Sequence, residues 1–145
     1  MVRRISAHEF RQYGWVIEFP KKASKDKSIN LFRIVRRESG NCGWRIAYLV
    51  VRDKAIKRLE QHVETFESFE PVAGRSLLYV ADRKDPGRIE CFRLERPVIL
   101  KKGIWHGVVT EGDEAEIKIT ENAKVKCIYW KLGFILRRPH QYTNR

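Results

Sequence analysis

The chain has 145 residues and carries 30 lysine and arginine side chains against 18 aspartate and glutamate side chains, a net charge of +12. Its hydrophobic content of 43% excludes a disordered basic tail, because such a tail lacks the apolar side chains that offset chain entropy. The length suits one apolar core, so we expect a single domain over residues 1–145.

The cysteines and the apolar runs indicate the cellular setting. Cys42, Cys91 and Cys127 show no paired spacing, so neither a disulfide framework nor a cysteine zinc site is indicated. The longest apolar run, Ile46–Val51, is far shorter than the roughly 20 residues of a membrane helix. We therefore expect a soluble, cytoplasmic protein. Few amides beside a charged fraction of 33% are typical of proteins from hot habitats.

A short N-terminal helix is predicted first, because Ser6-x-x-Glu9 is a capping box and Gly14 can end a helix in the left-handed conformation. After it, segments rich in β-branched and aromatic residues alternate with turns, which predicts strands. The predicted strands are Trp15–Phe19, Ile29–Arg37, Trp44–Arg52, Ser76–Ala81, Ile89–Leu94, Ile117–Thr120 and Val125–Tyr129. The last six are expected to pair in order as three hairpins, and a basic loop is expected at Lys21–Ser28.

The segment Ala55–Phe66 leaves two structures open. Its apolar residues recur at helical spacing, which allows a helix, but two strands around a bend fit equally well. Many short strands with one convincing helix favour an all-β sandwich or barrel for the whole chain.

Metal-capable side chains concentrate at His62-x-Glu64-x-x-Glu67 and at His106. If His62 and Glu64 lie on one strand, the period of two puts both on one face, and Glu67 can face the same cavity from the next strand. Two imidazoles with one or two carboxylates suit Mn, Fe, Ni or Zn better than Ca or Mg. By spacing alone, solvated surface positions are the simpler interpretation of these residues.

The first of these motifs, followed after six residues by Gly74, is similar to the first motif of the cupin superfamily, and Gly103-Ile104-Trp105-His106 is similar to the second. More narrowly, the chain resembles the ureidoglycolate lyase family of cupins. The residues that carry this resemblance are Tyr13-Gly14-x-Val16-Ile17, Leu59-Glu60-x-His62, Glu67-x-Phe69-x-Pro71 and Trp105-His106. The resemblance implies an all-β, cupin-like double-stranded β-helix, or jelly-roll barrel, after the short helix.

The resemblance also implies an activity, namely a lyase of purine catabolism that splits ureidoglycolate into glyoxylate and urea. A divalent transition metal (Ni, Mn, Fe or Zn) would be bound by His62, Glu64, Glu67 and His106. A metal of this kind acidifies a bound hydroxyl, and Glu64 or Glu67 could then shuttle the proton, with His106 as a further catalytic group.

The small anionic substrate needs a cation in the same pocket. Lys102, or Arg93 if it faces inward, could hold a substrate carboxylate, with Trp105 beside it. The chain departs from the family at Gly107, where a second histidine is common, and at Leu100, where a tyrosine is common. These departures favour a second hypothesis, a non-catalytic cupin that binds a small anionic or sugar-like ligand.

The uneven charge supports a third hypothesis, binding of nucleic acid. Residues 1–60 hold fifteen basic and six acidic side chains, whereas residues 61–145 hold fifteen and twelve. The basic residues of the first part alternate with Phe32, Trp44 and Tyr48, which could stack on bases. No recognisable nucleic-acid-binding motif is present, so this hypothesis ranks third. A homodimer through the second and third predicted strands is expected by analogy with other cupin barrels.

Overall fold

The computed structural model describes residues 1–20 and 30–138. The predicted loop Lys21–Ser28 and the first residue of the predicted strand Ile29–Arg37 lie outside the described residues. In the described ranges the elements are β1 (Val2–Arg4), α1 (Ala7–Phe10), β2 (Gly14–Val16), β3 (Arg45–Val51), β4 (Ala55–Gln61), β5 (Glu67–Ala73), β6 (Ser76–Asp82), β7 (Asp85–Arg93), β8 (Val98–Leu100), β9 (Trp105–Thr110), β10 (Ala115–Glu121) and β11 (Ile128–Arg137). None of the helical structure in these ranges is long and apolar enough to cross a membrane.

The strands from β3 to β10 pair in a nested order. β6 pairs with β7, β5 with β8, β4 with β9 and β3 with β10, all antiparallel. β10 also pairs with β5, and β6 with β9, which joins the strands into the sheets β7-β6-β9-β4 and β8-β5-β10-β3. This is the jelly-roll order, so the predicted all-β, cupin-like double-stranded β-helix with a short N-terminal helix is confirmed. β1, β11 and β2 extend the sheets beside β7, β4 and β8.

The main core fills the space between the two sheets. Along β10 every second residue is buried, as expected for a strand with one face on the core. Leu78 and Val80 from one sheet meet Ile117 and Ile119 from the other in this core. A second apolar layer lies on the outer face of the six-stranded sheet. It includes Leu132 and other apolar side chains of β11.

The N-terminal capping box is confirmed, because Ser6 Oγ accepts a hydrogen bond of 3.1 Å from the backbone N–H of Glu9. The predicted role of Gly14 as a left-handed helix stop is wrong. Gly14 is the first residue of β2, its φ is not positive, and a Cβ placed there would collide with the Ile99 carbonyl oxygen of β8. The glycine is needed for close strand approach rather than for a left-handed turn.

Two of the three predicted hairpins are wrong. The hairpin of Ser76–Ala81 with Ile89–Leu94 is confirmed as β6 and β7. The described part of Ile29–Arg37 forms no strand, and β3 pairs with β10 instead. β10 and β11 lie in different sheets. Local β-propensity indicated strands at most of these positions, but it carries no information about which strand supplies the partner.

The ambiguous segment Ala55–Phe66 contains a strand and a bend rather than a helix. β4 ends at Gln61, and β5 begins at Glu67. The segment forms a strand in spite of its helical spacing, because β4 pairs with β9 and with β11. A helix at this position would lose both pairings.

We predict that Gly14→Ala lowers the free energy of unfolding by about 1–3 kcal/mol, because the added methyl group overlaps the β8 backbone. The matched control is Gly133→Ala in β11, where a Cβ meets no atom within 4 Å. This variant is expected to leave stability unchanged or to raise it by up to about 1 kcal/mol. Urea unfolding of both variants measures the difference, and equal stability would contradict the close approach of β2 to β8.

Candidate metal centre

Three titratable side chains converge inside the barrel from three different strands or their ends. His62 directly follows β4, Glu67 begins β5, and His106 lies on β9 opposite Glu60 of β4. The three are 6%, 4% and 2% exposed, so water does not solvate them freely. One ligand atom from each lies within 4.8 Å of the other two. The nested pairing of the strands therefore brings together residues that are far apart in sequence.

The Glu67 carboxylate lies between the two imidazoles. Its Oε2 is 3.1 Å from His106 Nε2 and 3.5 Å from His62 Nε2. Within the described residues, neither Glu67 Oε2 nor His106 Nε2 has a hydrogen-bond partner of acceptable geometry. Buried polar atoms are rarely left without a partner, so these two atoms indicate a site for a further group.

Backbone carbonyls orient both imidazoles. His106 Nδ1 donates to the Ile104 carbonyl at 3.0 Å, and His62 Nδ1 donates to the Lys126 carbonyl at 3.1 Å. A carbonyl only accepts, so the proton of each neutral imidazole is on Nδ1 and the lone pair is on Nε2. Histidines that bind metals are commonly held in this way.

The charge around His106 favours a cation. Burial lowers the pKa of His106, but the carboxylates of Glu67 and Glu60 raise it by more, to about 10. The contact of 3.5 Å with the His106 imidazole, together with the charges of the histidines, lowers the pKa of Glu60 despite its partial burial. An environment that favours a proton at His106 Nε2 also favours a metal cation at the same atom, because both bring positive charge to the two carboxylates.

The donor set therefore fits a divalent metal. His62 and His106 offer one Nε2 each, and Glu67 offers the unpartnered Oε2. Two imidazoles and a carboxylate suit Mn, Fe, Ni or Zn rather than Ca or Mg, in agreement with the ligand types expected from the sequence.

The structure does not bring Glu64 into this cluster. Its side chain is 65% exposed, and its carboxylate lies 3.8 Å from Lys126 Nζ. The expectation that Glu64 shares a face with His62 requires both to lie on one strand, but β4 ends at Gln61. In the bend that follows, the alternation of side chains between two faces no longer holds.

The three residues expected to bind substrate have their contacts with residues outside the cluster. Arg93 Nε and Nη2 each donate to the Glu111 carboxylate at 3.1 Å. Lys102 Nζ contacts Glu38 Oε2 at 2.5 Å. Trp105 points into the outer apolar layer, where its ring centroid lies 5.8 Å from that of Trp130.

The structure shows where the two departures from the family pattern, Gly107 and Leu100, lie. A Cβ at Gly107 would meet Ile56 Cδ1 at 2.5 Å and Leu59 Cδ2 at 3.1 Å, so this position faces the outer apolar layer. A histidine here could not reach the cluster, because His106 and Gly107 alternate between the two faces of β9. Leu100 is a buried core residue of β8.

Two residues near the cluster were missed by the sequence analysis. Glu60 Oε1 lies 3.5 Å from His106 Nε2, and both Glu60 and Arg58 line a cavity of about 510 Å³ together with His106. The alternation of side chains along β4 was the available signal, because it places Arg58 and Glu60 on one face. Without knowing that β4 is a strand, this signal could not be used.

A second cavity of about 510 Å³ is lined by Glu67 together with Phe66 and Arg36. The Arg36 guanidinium lies 4.5 Å from the ring centroid of Trp15 and 5.1 Å from that of Phe66. Lys102 Nζ lies 4.8 Å from the Phe66 ring centroid. The two contacts of Arg36 hold the irregular segment around it against the barrel.

The fold and the cluster define a cupin-like barrel with a buried histidine and glutamate centre. Among solved structures, the chain is similar to the oxalate decarboxylase of Bacillus subtilis, with 18% identity, a TM-score of 0.48 and coverage of 62% of this chain. It spans only 24% of that chain. A dTDP sugar isomerase from Desulfovibrio desulfuricans shows 16% identity and a TM-score of 0.45, over 88% of this chain and 83% of the isomerase. No protein-family model and no curated protein matches the chain.

We predict that the metal-free protein binds Mn(II) and that Glu67→Gln and His106→Ala weaken this binding by more than about 100-fold. Loss of an outer-shell partner alone typically costs about 10–100-fold in metal affinity. Glu64→Gln is the matched control, because it removes the same charge from a side chain that is 65% exposed. Titration calorimetry measures all four proteins, and equal losses in Glu64→Gln and Glu67→Gln would contradict the assignment.

Proposed function

We propose that the chain is a metal-dependent cupin enzyme that acts on a small hydroxy acid, with ureidoglycolate as the candidate substrate. The observation that carries this proposal is the convergence of His62 Nε2, His106 Nε2 and Glu67 Oε2 beside a cavity of about 510 Å³. A cavity of this size and a few convergent polar groups are typical of small-molecule sites. The resemblance to ureidoglycolate lyases supplies the candidate substrate.

The reaction needs a group that moves one proton. A divalent metal bound by His62, Glu67 and His106 would supply Lewis acidity toward a substrate hydroxyl or carboxylate. Glu60 is the free carboxylate beside this centre, and its lowered pKa keeps it ionised at neutral pH. Glu60 would take the proton from the hydroxyl of ureidoglycolate as the carbon–nitrogen bond breaks, and would return it to the urea nitrogen.

Arg58 is the cation best placed to hold the substrate carboxylate. It lines the same cavity as Glu60 and His106, whereas Lys102 and Arg93 are each bound by a carboxylate elsewhere. Its guanidinium stacks on the Tyr129 ring at 4.4 Å from the centroid, which limits its rotational freedom. A guanidinium held in this way presents donors in a fixed plane that suits a carboxylate.

The second candidate is a cupin that binds a small anionic ligand without turnover. The observation that favours it is that both cations expected from the sequence, Lys102 and Arg93, form ion pairs within the chain. In this case ureidoglycolate or a similar acid would bind in the cavity beside Arg58 and would be released unchanged.

We predict that the metal-loaded protein releases glyoxylate and urea from ureidoglycolate. His106→Ala should abolish this activity, and Glu60→Gln should lower kcat by about 10²–10⁴-fold, the usual contribution of general acid–base catalysis. Arg58→Gln should mainly raise KM, because it binds the substrate rather than the moving proton. Glu64→Gln serves as the control that leaves turnover unchanged.

Two outcomes separate the candidates. Turnover no higher than that of His106→Ala would exclude the lyase. If calorimetry then detects ureidoglycolate binding that Arg58→Gln weakens, the non-catalytic cupin is supported. Absence of both turnover and binding would exclude this substrate for either candidate.

A further inference from the structure

A second cluster of metal-capable groups lies at the rim of the barrel. Ligand atoms of Glu60, His62 and Cys127 lie within 4.8 Å of one another. His62 is buried, Glu60 is half-buried and Cys127 is exposed, so the cluster runs from the interior to the solvent. It shares His62 with the buried centre but adds a sulfur atom, which that centre lacks.

The register of β4 and β11 explains why these groups meet. Gln61 pairs with Ile128, and Glu60 pairs with Tyr129. The ladder ends at this end with the Gln61–Ile128 pair, and His62 and Cys127 are the next residues of the two segments beyond it. The end of the ladder therefore brings His62 and Cys127 close together beside Glu60, where ligand atoms of the three converge.

The loop before β11 is fixed beside His62 by hydrogen bonds. The Lys126 carbonyl accepts from His62 Nδ1 at 3.1 Å. At the start of the same loop, the Asn122 N–H donates to Thr65 Oγ1 at 2.9 Å, and its side-chain Nδ2 donates to the Glu64 carbonyl at 3.1 Å. Both ends of the loop are thus attached to the bend between β4 and β5, which holds Cys127 near His62.

The donor atoms of the cluster determine which metal cation it suits. A thiolate, an imidazole and a carboxylate together suit a borderline-soft cation such as Zn(II) or Co(II), whereas Mn(II) prefers oxygen and imidazole ligands. On binding, the Cys127 thiol loses its proton to solvent, and the sulfur–metal bond forms. The other described cysteines, Cys42 and Cys91, lie outside this cluster.

We propose that Glu60, His62 and Cys127 form a second, thiolate-containing binding position for a zinc-like cation at the rim of the barrel. Because Nδ1 of His62 is bonded to the Lys126 carbonyl, its one free lone pair serves either the rim position or the buried centre. The rim position and the buried centre therefore compete for His62. Only this competition rests on the proposed function; binding at the rim does not.

Cobalt(II) is the probe, because a cobalt–thiolate bond gives a strong near-ultraviolet charge-transfer absorption that imidazole and carboxylate ligands do not give. Metal-free, reduced protein is titrated with Co(II) alone. The wild type should develop this absorption, and Cys127→Ser should lose it. Cys42→Ser is the matched control, because it also removes one partly accessible thiol and should keep the absorption.

His106→Ala separates the two positions, because His106 belongs to the buried centre and not to the rim cluster. The absorption should persist in His106→Ala. Persistence of the absorption in Cys127→Ser, or its loss in His106→Ala, would overturn the rim position. The buried centre is tested by comparing Cys127→Ser with the double variant that carries both Cys127→Ser and His106→Ala. If the two bind equal amounts of Co(II), the buried centre is contradicted while the rim position stands.

Discussion

The burial of the Glu67 carboxylate is the constraint on which the site depends. A carboxylate that is 4% exposed loses its hydration, which costs several kcal/mol unless positive charge or hydrogen bonds replace the water. His62 and His106 lie close enough to supply that charge, but the geometry leaves Glu67 Oε2 and His106 Nε2 without a hydrogen bond. A cation between the three groups would interact favourably with all of them, so the cluster fits a metal ion.

The jelly-roll pairing produces this arrangement from distant parts of the chain. β4 and β9 form one nested pair and β5 belongs to another, yet their ends and faces meet inside one barrel. The carbonyls of Ile104 and Lys126 then fix the two imidazoles, so the geometry of the site depends on backbone positions as much as on the ligands themselves. A change that shifts β9 or the loop before β11 would alter the centre without touching a ligand.

The two faces of the six-stranded sheet have different surroundings. The inner face of β9 carries His106, whereas Trp105 and Gly107 face the outer apolar layer. Gly107, a departure from the family pattern, therefore removes no ligand from the centre, because this position faces away from it. The cations that line the cavity are Arg58 of β4 and Arg52, which follows β3, and not the predicted Lys102 and Arg93.

The sequence by itself determined the all-β class, the N-terminal capping box and the β6 and β7 hairpin. It also indicated three of the residues that converge in the buried cluster, His62, Glu67 and His106. These features depend on local pattern or on motif spacing, which a single sequence displays. Only the tertiary structure decided that β10 and β11 lie in different sheets. It also showed that Glu64 turns to solvent after β4 ends, and that Glu60 faces the cavity. Strand partners and the faces of residues in a bend depend on long-range pairing, about which local propensity carries no information.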